Sequence, residues 1–155
     1  MKRLLTLCVA LMAISAAASA QDDVFKGLAK KYDKISGYEV ATVGRAAIRM
    51  AALTSGDKYS RELMRKLSLL VSVSHKGETK GELRGDFSRL VEGYDAVGEF
   101  RQESIEALMY MNPECTGFAM YSHSPDGESV LLLVGENLSI TDLLPKELQS
   151  KVKGE

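Results

Sequence analysis

Thr116-Gly117-Phe118-Ala119-Met120-Tyr121-Ser122-His123-Ser124-Pro125-Asp126-Gly127-Glu128-Ser129-Val130-Leu131-Leu132-Leu133-Val134 is the stretch whose reading decides the fold. At its centre, Ser124-Pro125-Asp126-Gly127 is a turn. Pro125 pre-sets φ at the second turn position, and Gly127 supplies the positive φ that reverses the chain. Thr116 to Ser122 reads as the strand entering the turn. Val130 to Val134 is an unbroken apolar run leaving it, which predicts a central strand covered on both faces.

Working upstream, Asn112-Pro113-Glu114 is a second turn, because proline fixes φ and cannot serve a central ladder. Before it, Ile105, Ala107, Met109 and Met111 alternate with Glu106, Leu108 and Tyr110, which is strand period. Val97 to Glu103 is a further strand. These four strands predict an antiparallel meander. Downstream, Gly135-Glu136-Asn137 closes the run, and Leu143, Leu144 and Leu148 predict a last short helix with Pro145 in its first turn.

The first half of the chain alternates helices and strands. Phe25, Leu28, Ala29 and Tyr32 follow helical spacing, and Gly37 ends that element. Tyr38 to Val43 is rich in β-formers. Ala46, Ala47, Met50 and Ala51 mark a small-faced helix opening near Gly44, and Thr54-Ser55-Gly56-Asp57 is a loop. A helix from Ser60 to Lys66 then feeds a strand from Ser68 to His75. After a polar loop over Lys76 to Lys80, Leu83, Phe87, Leu90, Val91 and Tyr94 form the best amphipathic helix of the chain. The expectation is a single α+β domain: a mainly antiparallel sheet with a C-terminal four-strand meander and helices packed on one face.

That domain is expected to span 21–155. Residues 1–20 read as a secretory signal peptide: Met1-Lys2-Arg3 is a basic start, Leu4 to Ile14 a mostly apolar run, and Ala18-Ser19-Ala20 a small-x-small cleavage site before Gln21. The run falls short of the about 20 apolar residues that span a bilayer. Cys8 lies inside it, away from the cleavage point, so no lipid attachment is expected. Cleavage between Ala20 and Gln21 predicts a soluble periplasmic or secreted protein, with no transmembrane segment left after removal of the signal. Taking 20 residues from 155 leaves 135, enough for one core. Removing Lys2 and Arg3 leaves 18 basic residues against 21 acidic ones, a net charge of −3 with no clustered basic face, so nucleic acid is not an expected partner. Cys115 is then the only cysteine, and no internal disulfide is available.

A set of motifs spans most of the chain: the signal peptide and first amphipathic helix, Tyr38 to Ala47 as a strand running into a small-residue helix, and the strand Leu69 to Val73. An Asp86-Phe87-Ser88-Arg89-Leu90 helix follows, then the C-terminal hairpins and an ending from Gly135 through Asn137-Leu138 to Leu143. In these the chain resembles a family of small exported proteins of unknown function found mainly in Bacteroidetes. The resemblance implies export and an α+β fold. It carries no catalytic or ligand residue.

Chemistry-bearing residues are sparse. A thiol enzyme would pair Cys115 with His75 or His123, but no nucleophile motif surrounds the cysteine and there is no Cys-x-x-Cys pair. Met109, Met111 and Met120 with Cys115 and His123 are soft donors of the kind copper prefers, yet a core stripe explains the methionines. No zinc or calcium spacing is present, so neither a metal nor another cofactor is expected. Glu99, Glu103, Glu106 and Glu114 read as the solvated side of the meander. Leu108, Tyr110 and Tyr121, with Ala119, share the parity opposite Met109 and Met120. They are the expected binding face, on the side of the sheet left uncovered by helices, because tyrosine is apolar with one polar tip. The sequence points to a non-enzymatic binding or interaction module with an envelope protein as partner. The alternative is a small exported hydrolase using Cys115 or a carboxylate.

Overall fold

The computed structural model describes residues 21–77 and 81–143. The signal-peptide reading and the helical positions Leu144 and Leu148 lie outside them. Helix α1 runs over 21–33, followed by β1 (Tyr38–Gly44), α2 (Arg45–Thr54), α3 (Lys58–Lys66), β2 (Leu67–Lys76), α4 (Glu82–Leu90), β3 (Asp95–Gln102), β4 (Ile105–Met111), β5 (Gly117–Ser124), β6 (Gly127–Gly135) and α5 (Ile140–Leu143). The sheet has six strands in the order β1-β2-β6-β5-β4-β3, and every neighbouring pair is antiparallel. The α+β class and the β3-to-β6 meander are as expected. β6 is central, between β2 and β5, as its apolar run requires.

The Ser124-to-Gly127 turn is a hairpin with Pro125 and Asp126 at its tip, closed by the Ser124–Gly127 pair. Gly127 has φ 154°, extended but of positive sign. Its glycine is demanded by crowding: a Cβ here would collide with the backbone carbonyl oxygen of His75 on β2. Asp57 caps α3, its carboxylate accepting from the backbone N–H groups of Tyr59 and Ser60. The periodicity continuing to Tyr94 leaves the helix at Leu90, and Gly93, at φ 82°, turns the chain toward β3.

The helices cover both faces of the sheet, not one. Helices α1 and α4 lay Phe25, Leu28, Tyr32, Leu83 and Phe87 over Leu69, Val71, Val73, Ala119, Tyr121, Val130, Leu132 and Val134. On the opposite face, Ile48 of α2, Leu63 and Met64 of α3 and Ile140 and Leu143 of α5 surround Leu67, Leu70, Met111, Phe118 and Leu133. The cause is β6: its successive leucines point to alternate faces, so neither face can be left wholly in water. This second cover reaches one end of the sheet. At the other end, near the β5–β6 hairpin, the same face carries Ser72, Ser74, Ser122 and Ser129, all half-buried. No helix among the described residues is long and apolar enough to cross a membrane.

Candidate functional site

The hairpin end of the sheet gathers the polar chemistry of the chain. In the strand registers, Tyr38 stands opposite His75, His75 opposite Glu128, Glu128 opposite His123, His123 opposite Glu106 and Glu106 opposite Arg101. Directly opposed residues share a face. One transverse row of ring and ionisable side chains therefore crosses all six strands on the α1–α4 face. The next row along the strands points the other way and is made of small hydroxyls: Ser74 opposite Ser129, and Ser129 opposite Ser122.

Glu128 is the centre of the first row. It is 4 % exposed. Its Oε2 accepts a 2.8 Å hydrogen bond from the Tyr121 hydroxyl, while Oε1 is buried with no partner. His75 packs its ring against Tyr38, with centroids 4.7 Å apart, and its Nδ1 is likewise buried and unpartnered. A buried polar atom without a partner costs its desolvation, which both of these groups bear. Glu106 is different. It is held by Arg84 of α4 at 3.1 Å and Arg101 of β3 at 3.3 Å, which makes it a structural anion. The Arg84 guanidinium lies 5.7 Å from the centre of the Tyr121 ring. Burial first, and then the hydrogen bond to Glu128, push the Tyr121 hydroxyl well above the ordinary phenol range.

An open cavity of about 290 Å³ sits at this end, lined by His75, His123, Glu128, Asp126, Ile105 and the serines Ser122, Ser124 and Ser129. Ser122 and Ser129 hydrogen-bond each other at 2.6 Å on the face of the sheet opposite His75 and His123, so neither hydroxyl is paired with an imidazole. Asp126, exposed, and Glu128, its carboxylate buried, are the acidic residues of the lining, which holds no lysine or arginine.

The thiol lies elsewhere. Cys115 occupies the β4–β5 turn, half-buried, with φ 58°. Asn112 builds that turn: its Oδ1 accepts from the backbone N–H groups of Thr116 and Gly117 at 2.8 and 2.9 Å, and its Nδ2 donates to Thr116 Oγ1. His123 and His75 are at the opposite end of the sheet. Between Gly117 and His123, β5 alone spans about 20 Å. The pairing of Cys115 with either histidine is therefore not formed. The soft-donor set is divided in the same way, with Met109 opposite Met120 in the middle of the sheet and His123 at its far end. Among the described residues no three His, Cys, Asp or Glu side chains are placed to hold a metal ion.

Leu108, Tyr110 and Tyr121 do share one face, but it is the helix-covered one. Tyr121 is 2 % exposed, and the Phe87 ring of α4 lies 5.8 Å from Tyr110 and 5.6 Å from Tyr121. Leu108 and Tyr110, half-buried, pack on the same cluster, so the face these residues share is covered by helices rather than free. Leu108, Tyr110 and Tyr121 thus have the parity expected from the alternation but lie on the opposite, helix-covered side. Glu128 is not among the expected site residues, although its signal is present in the sequence: Glu128 shares parity with Val130, Leu132 and Val134, an inward position for a charged residue on a buried strand.

No family model, no curated protein and no solved structure matches this chain.

Proposed function

We propose that this chain is an exported, soluble protein of the cell envelope, of the kind its resemblance to small exported Bacteroidetes proteins suggests. It acts as a non-enzymatic binding module, and its partner seats at the hairpin-end cavity. The observation that carries the reading is the content of that cavity. It is lined by imidazole and hydroxyl residues and by exposed Asp126 beside the buried, half-satisfied Glu128, while the only thiol of the described residues stands across the sheet. A concave site with a few convergent polar groups is the usual form of a binding place. The acidic lining favours a partner with a basic group.

The test is capture from envelope extract by the tagged protein, run beside Asp126→Arg and Cys115→Ser. Asp126 is exposed at the hairpin tip, so its replacement changes the cavity charge without touching the core. The same partner should be retained by Cys115→Ser and lost with Asp126→Arg. Capture indifferent to Asp126→Arg would overturn the placement. Ester or peptide hydrolysis abolished by Cys115→Ser would overturn the non-enzymatic reading.

A further inference from the structure

The two edges of the sheet are finished differently. β3 has a register shift between Ala96 and Gly98, and its Glu99 and Arg101 pair at 2.7 Å along an exposed strand. Bulges and charges are the devices that keep an edge from pairing with another chain. β1 has neither defence beyond one glutamate. It is seven residues long, carries no proline or lysine, and pairs with β2 without interruption from Tyr38 to Gly44. Among the described residues its outer backbone groups have no neighbouring strand, because β1 ends the sheet order. Glu39, Ala41, Thr42 and Gly44 are exposed, and so is Arg45, which follows directly at the start of α2. Neither Glu39 nor Arg45 takes part in an ion pair among the described residues.

We propose that β1 is a homodimer interface, pairing antiparallel with β1 of a second copy about a two-fold axis at Thr42. Sequence chooses the register. With Thr42 opposite Thr42 of the partner subunit, Glu39 faces the partner's Arg45 and Arg45 faces the partner's Glu39. Ala41 then faces Val43 of the partner subunit. Both charges are neutralised by symmetry, Arg45 reaching from the first residue of α2 just beyond the strand end, and a threonine pair, a favourable cross-strand match, sits on the axis. Centring on Ala41 would place Glu39 opposite Val43 of the partner subunit and lose both ion pairs. The contact is isologous and closes at two copies, so the open edge is used up rather than propagated into a fibre. A two-fold axis perpendicular to the sheet also sets both α2 helices on one side of the joined sheet. Helix α2 exposes Met50 at 70 % and Leu53 at 84 %, apolar surface that no other described element covers. This pairing is independent of the cavity and of what binds there.

Sedimentation velocity on the chain expressed with its own first twenty residues and then purified tests it. The expected species is a dimer at concentrations of about 10–200 μM. Glu39→Arg and Arg45→Glu alone each place like charges opposite and should weaken dimerisation about tenfold or more. The double variant Glu39→Arg/Arg45→Glu recreates the pairs with reversed sign and should recover it. Thr42→Lys should give a folded monomer, checked by an unchanged far-UV circular dichroism spectrum. A wild-type monomer throughout that range would overturn the proposal. So would a dimer insensitive to all four variants, or single-variant losses that the double variant fails to rescue.

Discussion

The hydroxyl of Tyr32 on α1 donates a 2.6 Å hydrogen bond to Oδ2 of Asp86 on α4, across 54 positions of sequence. Tyr32 is fully buried, so this bond joins the two helices that cover one face of the sheet from beneath. Lys31 reaches the same oxygen at 2.6 Å, and Arg89 holds Oδ1. Burial alone would raise the Asp86 carboxyl. The hydrogen bonds from Lys31, Tyr32 and Arg89 outweigh it and bring the pKa from 3.8 down to about 2. A carboxyl depressed in the folded state stabilises above its unfolded pKa and loses that contribution as pH falls through the folded value. The protein should therefore lose about 2 kcal/mol between pH 4 and pH 2 from this group alone. Asp86→Asn should be less stable by about 2 kcal/mol at pH 7 and flatter over the acid range, as urea midpoints measured against pH would show.

Tyr121 and Glu128 form the second buried link, at 2.8 Å between neighbouring strands. Removing the hydroxyl in Tyr121→Phe leaves both carboxylate oxygens of a 4 % exposed residue without partners. The expected cost is about 1.5–3 kcal/mol, the range for a hydrogen bond to a charged group, read from the urea midpoint.

Alkaline titration reports on the same residues. Burial first, then a carboxylate acceptor, raises the hydroxyl pKa of Tyr32 and of Tyr121 above the ordinary 10.0. A group raised in the folded state contributes stability below its unfolded pKa and loses it as pH climbs beyond. In a spectrophotometric titration, Tyr32 and Tyr121 should ionise only with alkaline unfolding.

Two glycines should respond in opposite directions to alanine. Gly127→Ala drives a methyl group into the His75 carbonyl at the hairpin, where neither strand can yield without breaking pairs, and should cost at least about 3 kcal/mol. Gly85 lies inside α4 with nothing within 4 Å of a would-be Cβ, so Gly85→Ala should stabilise by about 0.5–1 kcal/mol. Thermal melts of both variants decide it.

Much of this fold was legible because its signals are local. The Pro125-Asp126 hairpin, the β6 apolar run, the start of α2 after Gly44 and the helix carrying Leu83 and Phe87 all follow from spacing within a few residues. The error over Leu108, Tyr110 and Tyr121 was of another kind. Alternation tells which residues share a face, but not which face the helices occupy. That choice is made by contacts such as Tyr32 to Asp86 and Phe87 to Tyr121, between segments far apart in sequence. The hairpin-end row was hidden for the same reason. His75, Glu128 and His123 become neighbours only once β6 lies between β2 and β5. The separation of Cys115 from His123 follows from the length of β5 alone, whereas that from His75 needed the strand order.

The central claim is that recognition takes place at the hairpin end and not at the thiol. Its most direct measurement is the ¹H–¹⁵N spectrum of the labelled protein as the partner captured from envelope extract is added. The account predicts shifts concentrated on His75, Ser122, His123, Asp126 and Ser129, with Cys115 and Asn112 unmoved. Shifts centred on Cys115 and the Asn112 turn, with the hairpin end silent, would contradict it.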